Sequence, residues 1–284
     1  MPHRLAGRTV CYDRPVNRRA VPGLALLALV SAPVRAADDP LARARVLYNQ
    51  HEFDAAVSQA EKARLTTPRA DAADLIAARA YLERFRQSAA SDDLTNGRDR
   101  LRRIDPQRLD SRERLEYIVG LGETLYLDGE YGAAAAVFDS VLLGPDLLTA
   151  DARERVLAWW ADTIDRDTRL RLASNAGADR SAGYLRVRAR MQDELASHPS
   201  NAAAAYWLAA SARAQGDLQA AWDAAEAAWT RAPLAADRAA ALRDDLDRLM
   251  TQGIIPERAK TTSQPQAALV AEWERFKDRW KPGQ

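Results

Sequence analysis

The chain has 284 residues, 47% of them hydrophobic and 29% charged, with 13 glycines and 13 prolines. This is an ordinary globular balance, long enough for one large domain or one elongated array. A formal net charge of +1 and a single cysteine, Cys11, exclude a strongly basic nucleic-acid binder and an internal disulfide.

Arg14, Arg18 and Arg19 precede a short apolar run, Val21 to Val30, which is followed by Ser-Ala-Pro-Val-Arg-Ala. Positive charge, a short apolar stretch and small residues at Val34 and Ala36 predict a secretory signal over residues 1–36, cleaved after Ala36. The run is well short of the roughly 20 apolar residues a spanning helix needs. No stable membrane span is therefore expected after cleavage. Cleavage removes six arginines and one acid, which turns the net charge of +1 into −4. A mildly acidic mature chain predicts no nucleic-acid partner, because phosphates demand a basic surface. Cys11 leaves with the signal, so the mature chain is expected to hold no thiol, disulfide or cysteine metal ligand. Only 4 of the 41 basic residues are lysine, and arginine and alanine abound, which suggests a GC-rich bacterial genome. An export signal in that setting points to the periplasm or the exterior.

From Leu41 to about Met250 apolar residues recur at three and four, and no stretch alternates as a strand would. Pro68, Pro106, Pro145, Pro199 and Pro233 each follow an amphipathic run and punctuate the helices. Residues 41–68 begin with a short helix, then turn at His51-Glu52-Phe53 and place Ala56, Ala60 and Ala63 on one face. In residues 71–106, Ala78 and Tyr81 mark a first helix, and Leu94, Arg98 and Leu101 a second.

The next unit is the clearest. Asp110 and Glu113 form a capping box before a helix bearing Ile118, Leu121, Gly122 and Leu125. Gly129 and Tyr131 make a turn, and Ala134, Phe138 and Val141 lie on a second helix. Ala133 to Ala136 form a wall of small side chains with strong helix propensity. Residues 150–199 are looser, with long helices about Trp160 and Met191. From Asn201 to Pro233 the clear pattern returns, with Leu208 and Ala209, a turn at Gly216-Asp217-Leu218, then Ala221, Ala225 and Ala228.

These units resemble the tetratricopeptide repeat, a helix–turn–helix of about 34 residues with the pattern W-x-x-L-G-x-x-Y, then A-x-x-x-F, then P. Ile118 stands for the first aromatic, Leu121-Gly122 for the Leu-Gly pair, Leu125 for the tyrosine, and Ala134 and Phe138 for the second-helix residues. The resemblance implies an all-α fold, an α-α superhelix of stacked hairpins over residues 37–255. Within a unit, Gly122 and Ala134 are expected to face each other where the two helices cross, and Phe138 to fill space toward the next unit.

Ala235 to Gln252 predicts one more amphipathic helix, residues 256–265 a polar linker, and residues 266–284 a C-terminal helix. Leu269, Trp273, Phe276 and Trp280 make one stripe on that helix. It is expected to dock as a cap, since an open solenoid end needs covering.

Residues suited to chemistry are few. The mature chain holds two histidines, His51 at a turn and His198 at a helix end, with no second histidine at ligand spacing. No GxSxG, HExxH or phosphate-cradling loop is present, so no catalytic residue, metal or cofactor is expected. Acidic pairs such as Asp244-Asp245 read as solvated faces. The arginine runs Arg98 to Arg103 and Arg186 to Arg190 do too, being interleaved with acids. Trp160 shares a stripe with Val156, Leu157 and Ile164 and is expected in the core. Trp159 points about 100° away, among polar neighbours.

The resemblance also implies that the first helix of each unit lines a groove. At groove-facing positions stand Arg79 and Glu83, Glu116, Glu123 and Tyr126, and Tyr206 and Arg213; Trp159 is added as a polar-facing aromatic. The expected function is a non-catalytic scaffold that binds a protein or peptide partner in that groove. The alternative is a small-ligand or glycan module using Trp159, Tyr126 and Tyr206 as stacking platforms.

Overall fold

A computed structural model describes residues 39–144, 147–174 and 179–281. The predicted export segment with Cys11, and Pro145, lie outside these residues. Among the described residues the regular structure is helical throughout, with no strand.

The chain runs as successive helical hairpins. They are α1 (Pro40–Asn49) with α2 (Phe53–Arg64), α3 (Ala70–Ser88) with α4 (Ser91–Arg103), and α5 (Ser111–Leu127) with α6 (Tyr131–Leu143). Then come α7 (Ala150–Ser174) with α8 (Arg180–Ser197), and α9 (Ala202–Gln215) with α10 (Leu218–Arg231). Each helix packs on the next, and odd-numbered helices also touch one another: α1 with α3, α3 with α5, α7 with α9. This consecutive packing is that of a helical repeat.

Local chemistry explains the helix starts. Asp39 caps α1 ahead of Pro40, whose missing N–H costs nothing at a first helical position. Asp110 and Glu113 form the predicted capping box at α5. Asn201 and Asp217 accept from the backbone of Ala204 and Ala220 and so cap α9 and α10.

The hairpin turns share one backbone device, a residue in the left-handed region between the paired helices. It is His51 (φ 62°), Ala89 (φ 55°), Gly129 (φ 82°) and Gly216 (φ 90°) in the first, second, third and fifth hairpins. Glycine adopts this conformation without cost, whereas an L side chain is strained there. Two of the four turns therefore carry a glycine, while the expected turn at His51 and the one at Ala89 form without it.

Inside the clear hairpin Gly122 lies against the ring of Phe138: a Cβ at Gly122 would lie 2.6 Å from Phe138 Cε1. Phe138 is fully buried, and its ring centroid is 6.0 Å from that of Trp159 on the following helix. The missing side chain at Gly122 thus makes room for an aromatic that ties one hairpin to the next. In α4 the buried residues are Asp93, Gly97 and Leu101, so Arg98 sits outside the packed face.

The end of the repeat stack also differs from expectation. A 3-10 stretch, Ala232–Arg238, precedes α11 (Ala239–Leu249), which continues through a π-helical turn, Met250–Ile254, into α12 (Ile255–Thr262). Most of the predicted linker is therefore helix. Pro256 stands in the first turn of α12, where proline is tolerated. Met250, Ile254 and Ile255 are fully buried and hold the bend to the core.

α13 (Gln266–Arg279) is docked. Leu269, Trp273 and Phe276 are buried, while Trp280 is half exposed. Trp273 stacks on Phe276 with centroids 5.5 Å apart, meets Trp229 edge-on at 5.3 Å, and its indole donates to Asp247 at 2.9 Å. One continuous apolar core extends from Leu115 to Phe276, whereas α1 to α4 are held by smaller separate clusters.

Candidate functional site

The eight residues singled out in the sequence all lie on odd-numbered helices, in three groups. The largest group joins α1, α3, α5 and α7. Arg79 donates to Glu116 at 2.5 Å and its guanidinium lies 4.4 Å from the ring centroid of Tyr48. Glu83 receives Arg86 at 3.0 Å and Arg155 at 3.8 Å. Arg86 in turn lies 5.2 Å from the ring centroid of Trp159.

Glu123 is at the centre of this group. It is 6% exposed, and its Oε1 atom has no hydrogen-bond partner. Burial, reinforced by the charge of Glu83, pushes its carboxyl up to about 7; Arg86, Arg79 and Arg155 pull the other way without prevailing. Burial likewise lifts Tyr48 to about 12 despite the nearby Arg79. Arg79, Glu123 and Trp159 are thus brought into one network, Trp159 through Arg86.

Tyr126 belongs to a second group. Its hydroxyl donates to Asp162 at 2.5 Å, and Arg166 donates to the same carboxylate oxygen at 2.7 Å. The Arg166 guanidinium lies 5.3 Å from the Tyr126 ring and 5.5 Å from the Tyr131 ring. Burial and then the Asp162 charge hold the Tyr126 phenol well above its ordinary range.

Tyr206 and Arg213 form the third group, on one face of α9. Tyr206 is half-buried with its ring edge-on to Trp207 at 5.7 Å. Arg213 donates to Glu257 of α12 through Nη2 at 2.5 Å and Nε at 3.1 Å. Gly253 lies beneath that guanidinium, where a Cβ would approach Arg213 Cζ to 2.7 Å. The absence of a side chain there lets the π-turn pass close to Arg213.

Residues missed by the sequence reading are those that occupy these anchors: Tyr48, Arg86, Arg155, Asp162, Arg166 and Glu257. The Asp162–Arg166 and Glu83–Arg86 pairs had a local signal, spacings of four and three on a helix. The arginine runs also differ from the solvated faces expected of them. Arg98 pairs with Asp128, Arg186 with Asp139, and Arg100 reaches Asp74 at 2.8 Å. Arg188 donates to Gln215 at 2.8 Å and Asp217 at 3.1 Å, and Arg190 to the Leu142 carbonyl at 2.5 Å. Asp245, expected on a solvated face, is 6% exposed and paired with Arg248.

Trp160 is buried in the core as expected, with its indole donating to Asp139 at 2.7 Å. His198 Nδ1 lies 3.1 Å from Glu194, at the end of α8, and His51 packs edge-on to Phe53 at 5.7 Å. Among the described residues no group of three or more His, Cys, Asp or Glu side chains could hold a metal ion. No helix among them is long and apolar enough to cross a membrane.

In comparisons with protein-family models, curated proteins and solved structures, nothing matches this chain. The comparisons identify no family, and the succession of hairpins shows an all-α, helical-repeat-like architecture.

Proposed function

We propose that this chain is a non-catalytic interaction scaffold of the bacterial cell envelope, built as a tetratricopeptide-like superhelix. The face of its odd-numbered helices would receive a peptide or helix of a partner protein. The observation that carries this reading is the concentration of aromatic and arginine side chains on those helices. Tyr48, Arg79, Tyr126, Trp159, Tyr206 and Arg213 are the residue types that dominate interface energetics. The glycan alternative is less well supported, because guanidinium groups lie over the rings of Trp159 and Tyr126.

The test is cross-linking in the native envelope followed by recovery of the partner, with Arg79→Ala and Tyr126→Ala compared with wild type. Each should weaken capture by at least about 1 kcal/mol, while Lys62→Ala, on the exposed side of α2, leaves it unchanged. Equal capture by both variants would discard this face. Export is checked by intact mass from the native host, expected to begin at Ala37; a mature species retaining Cys11 would remove the envelope assignment.

A further inference from the structure

An open cleft of about 470 Å³ lies where the C-terminal parts of α7 and α9, the N-terminal part of α8 and the start of α10 meet α12. Arg169, Arg213 and Lys260 line it, together with Leu172, Leu218 and Tyr184. Its size falls in the range of roughly 300–1,000 Å³ usual for organic ligands.

The cations there are not equivalent. Arg213 is engaged by Glu257, which also lines the cleft. Arg169 is held by Asp165 at 2.9 Å, but its own side chain is 68% exposed. Asp165 is already occupied from within, since the Tyr184 hydroxyl donates to it at 2.8 Å. Lys260 is exposed, and among the described residues no carboxylate pairs with it. Counting both acids against the three cations leaves one net positive charge in the cleft. The remaining wall is apolar, formed by Leu172, Leu218 and Ala214.

We propose that this cleft binds a small amphipathic organic anion. Its charged head meets Lys260 and the exposed guanidinium of Arg169, and its short apolar body lies on Leu172 and Leu218. The single excess charge suits a monoanion, because Glu257 repels a second negative group. A bare inorganic anion would leave the leucines in contact with water and gain nothing from them. The cleft shares Arg213 with the partner surface proposed above, but Lys260 and Leu172, which the anion would contact, do not belong to that surface.

The experiment titrates the full chain with anilinonaphthalene sulfonate, an amphipathic monoanion whose fluorescence rises in apolar surroundings. The expected result is saturable binding at one site, displaced by octanoate but not by the same concentration of inorganic phosphate. Lys260→Glu should weaken binding about tenfold or more, and Thr261→Glu on the same exposed wall should act likewise. Lys62→Glu, at the other end of the stack, should leave binding within about twofold. Unsaturable binding, or wild-type affinity in both α12 variants, would overturn the proposal. Equal displacement by phosphate would also overturn it, because the apolar wall would then contribute nothing.

Discussion

Replacing Glu123 with Gln isolates the chemistry of a buried carboxyl. Glu123 is almost wholly removed from solvent, one of its oxygens lacks a partner, and its carboxyl is pushed from 4.5 up to about 7. In the unfolded chain the group ionises near its ordinary value, so between those two pH values the folded chain binds the extra proton. Its contribution to stability is fully present below about 4.5 and is lost as the pH rises through about 7. At about 1.4 kcal/mol per pH unit, the shift corresponds to about 3 kcal/mol. Gln keeps the shape and cannot ionise. Urea denaturation at pH 5, 6, 7 and 8 should show wild type losing up to about 3 kcal/mol more than Glu123→Gln across that range. The variant should be the more stable protein at pH 8. Parallel stability profiles for the two proteins would refute the reasoning, because they would mean that Glu123 is ionised and solvated in the folded state.

Gly122→Ala places a Cβ 2.6 Å from the Phe138 ring and should destabilise by about 1–3 kcal/mol, read as a lower urea midpoint at unchanged slope. An unchanged midpoint would remove Gly122 from the helix contact. Trp273→Ala empties a fully buried site and should cost about 3–5 kcal/mol; a loss under about 1 kcal/mol would mean that α13 is not docked in solution.

The helical hairpins were legible because their signals are local. The capping box at Asp110 and Glu113, the glycine turns at Gly129 and Gly216 and the stripe of α13 are each contained within a few residues. The turn at His51, expected from the sequence, and the turn at Ala89 form without a glycine, at residues whose side chains resist the left-handed conformation. The positions expected to face a groove were legible only as positions on odd-numbered helices. What lies against each one is decided by helices distant in sequence. Glu116 meets Arg79, Asp162 meets Tyr126, and Glu257 meets Arg213, across 37, 36 and 44 residues. Such pairings depend on how hairpins stack, which periodicity does not encode. Arg188 failed on the same ground, meeting Gln215 and Asp217 across 27 and 29 residues.

The unequal division of the apolar core bears on how the chain opens. From Leu115 onward the buried side chains form one connected body, while α1 to α4 are held by separate small clusters and by ion pairs such as Arg100 with Asp74. In a stack where each unit is stabilised mainly by its neighbours, the end with the smaller clusters loosens first. Amide protons of α1 to α4 should therefore exchange before those of α7, α9 and α11, which share the large core. Glu123 stands near the boundary between these regimes, on α5, with Arg79 and Glu83 reaching it from one side and Arg155 from the other. Loosening of the first two hairpins would strip away part of its charged surroundings and let water reach the carboxyl. Proton release from one buried side chain is thereby tied to the opening of about a quarter of the chain.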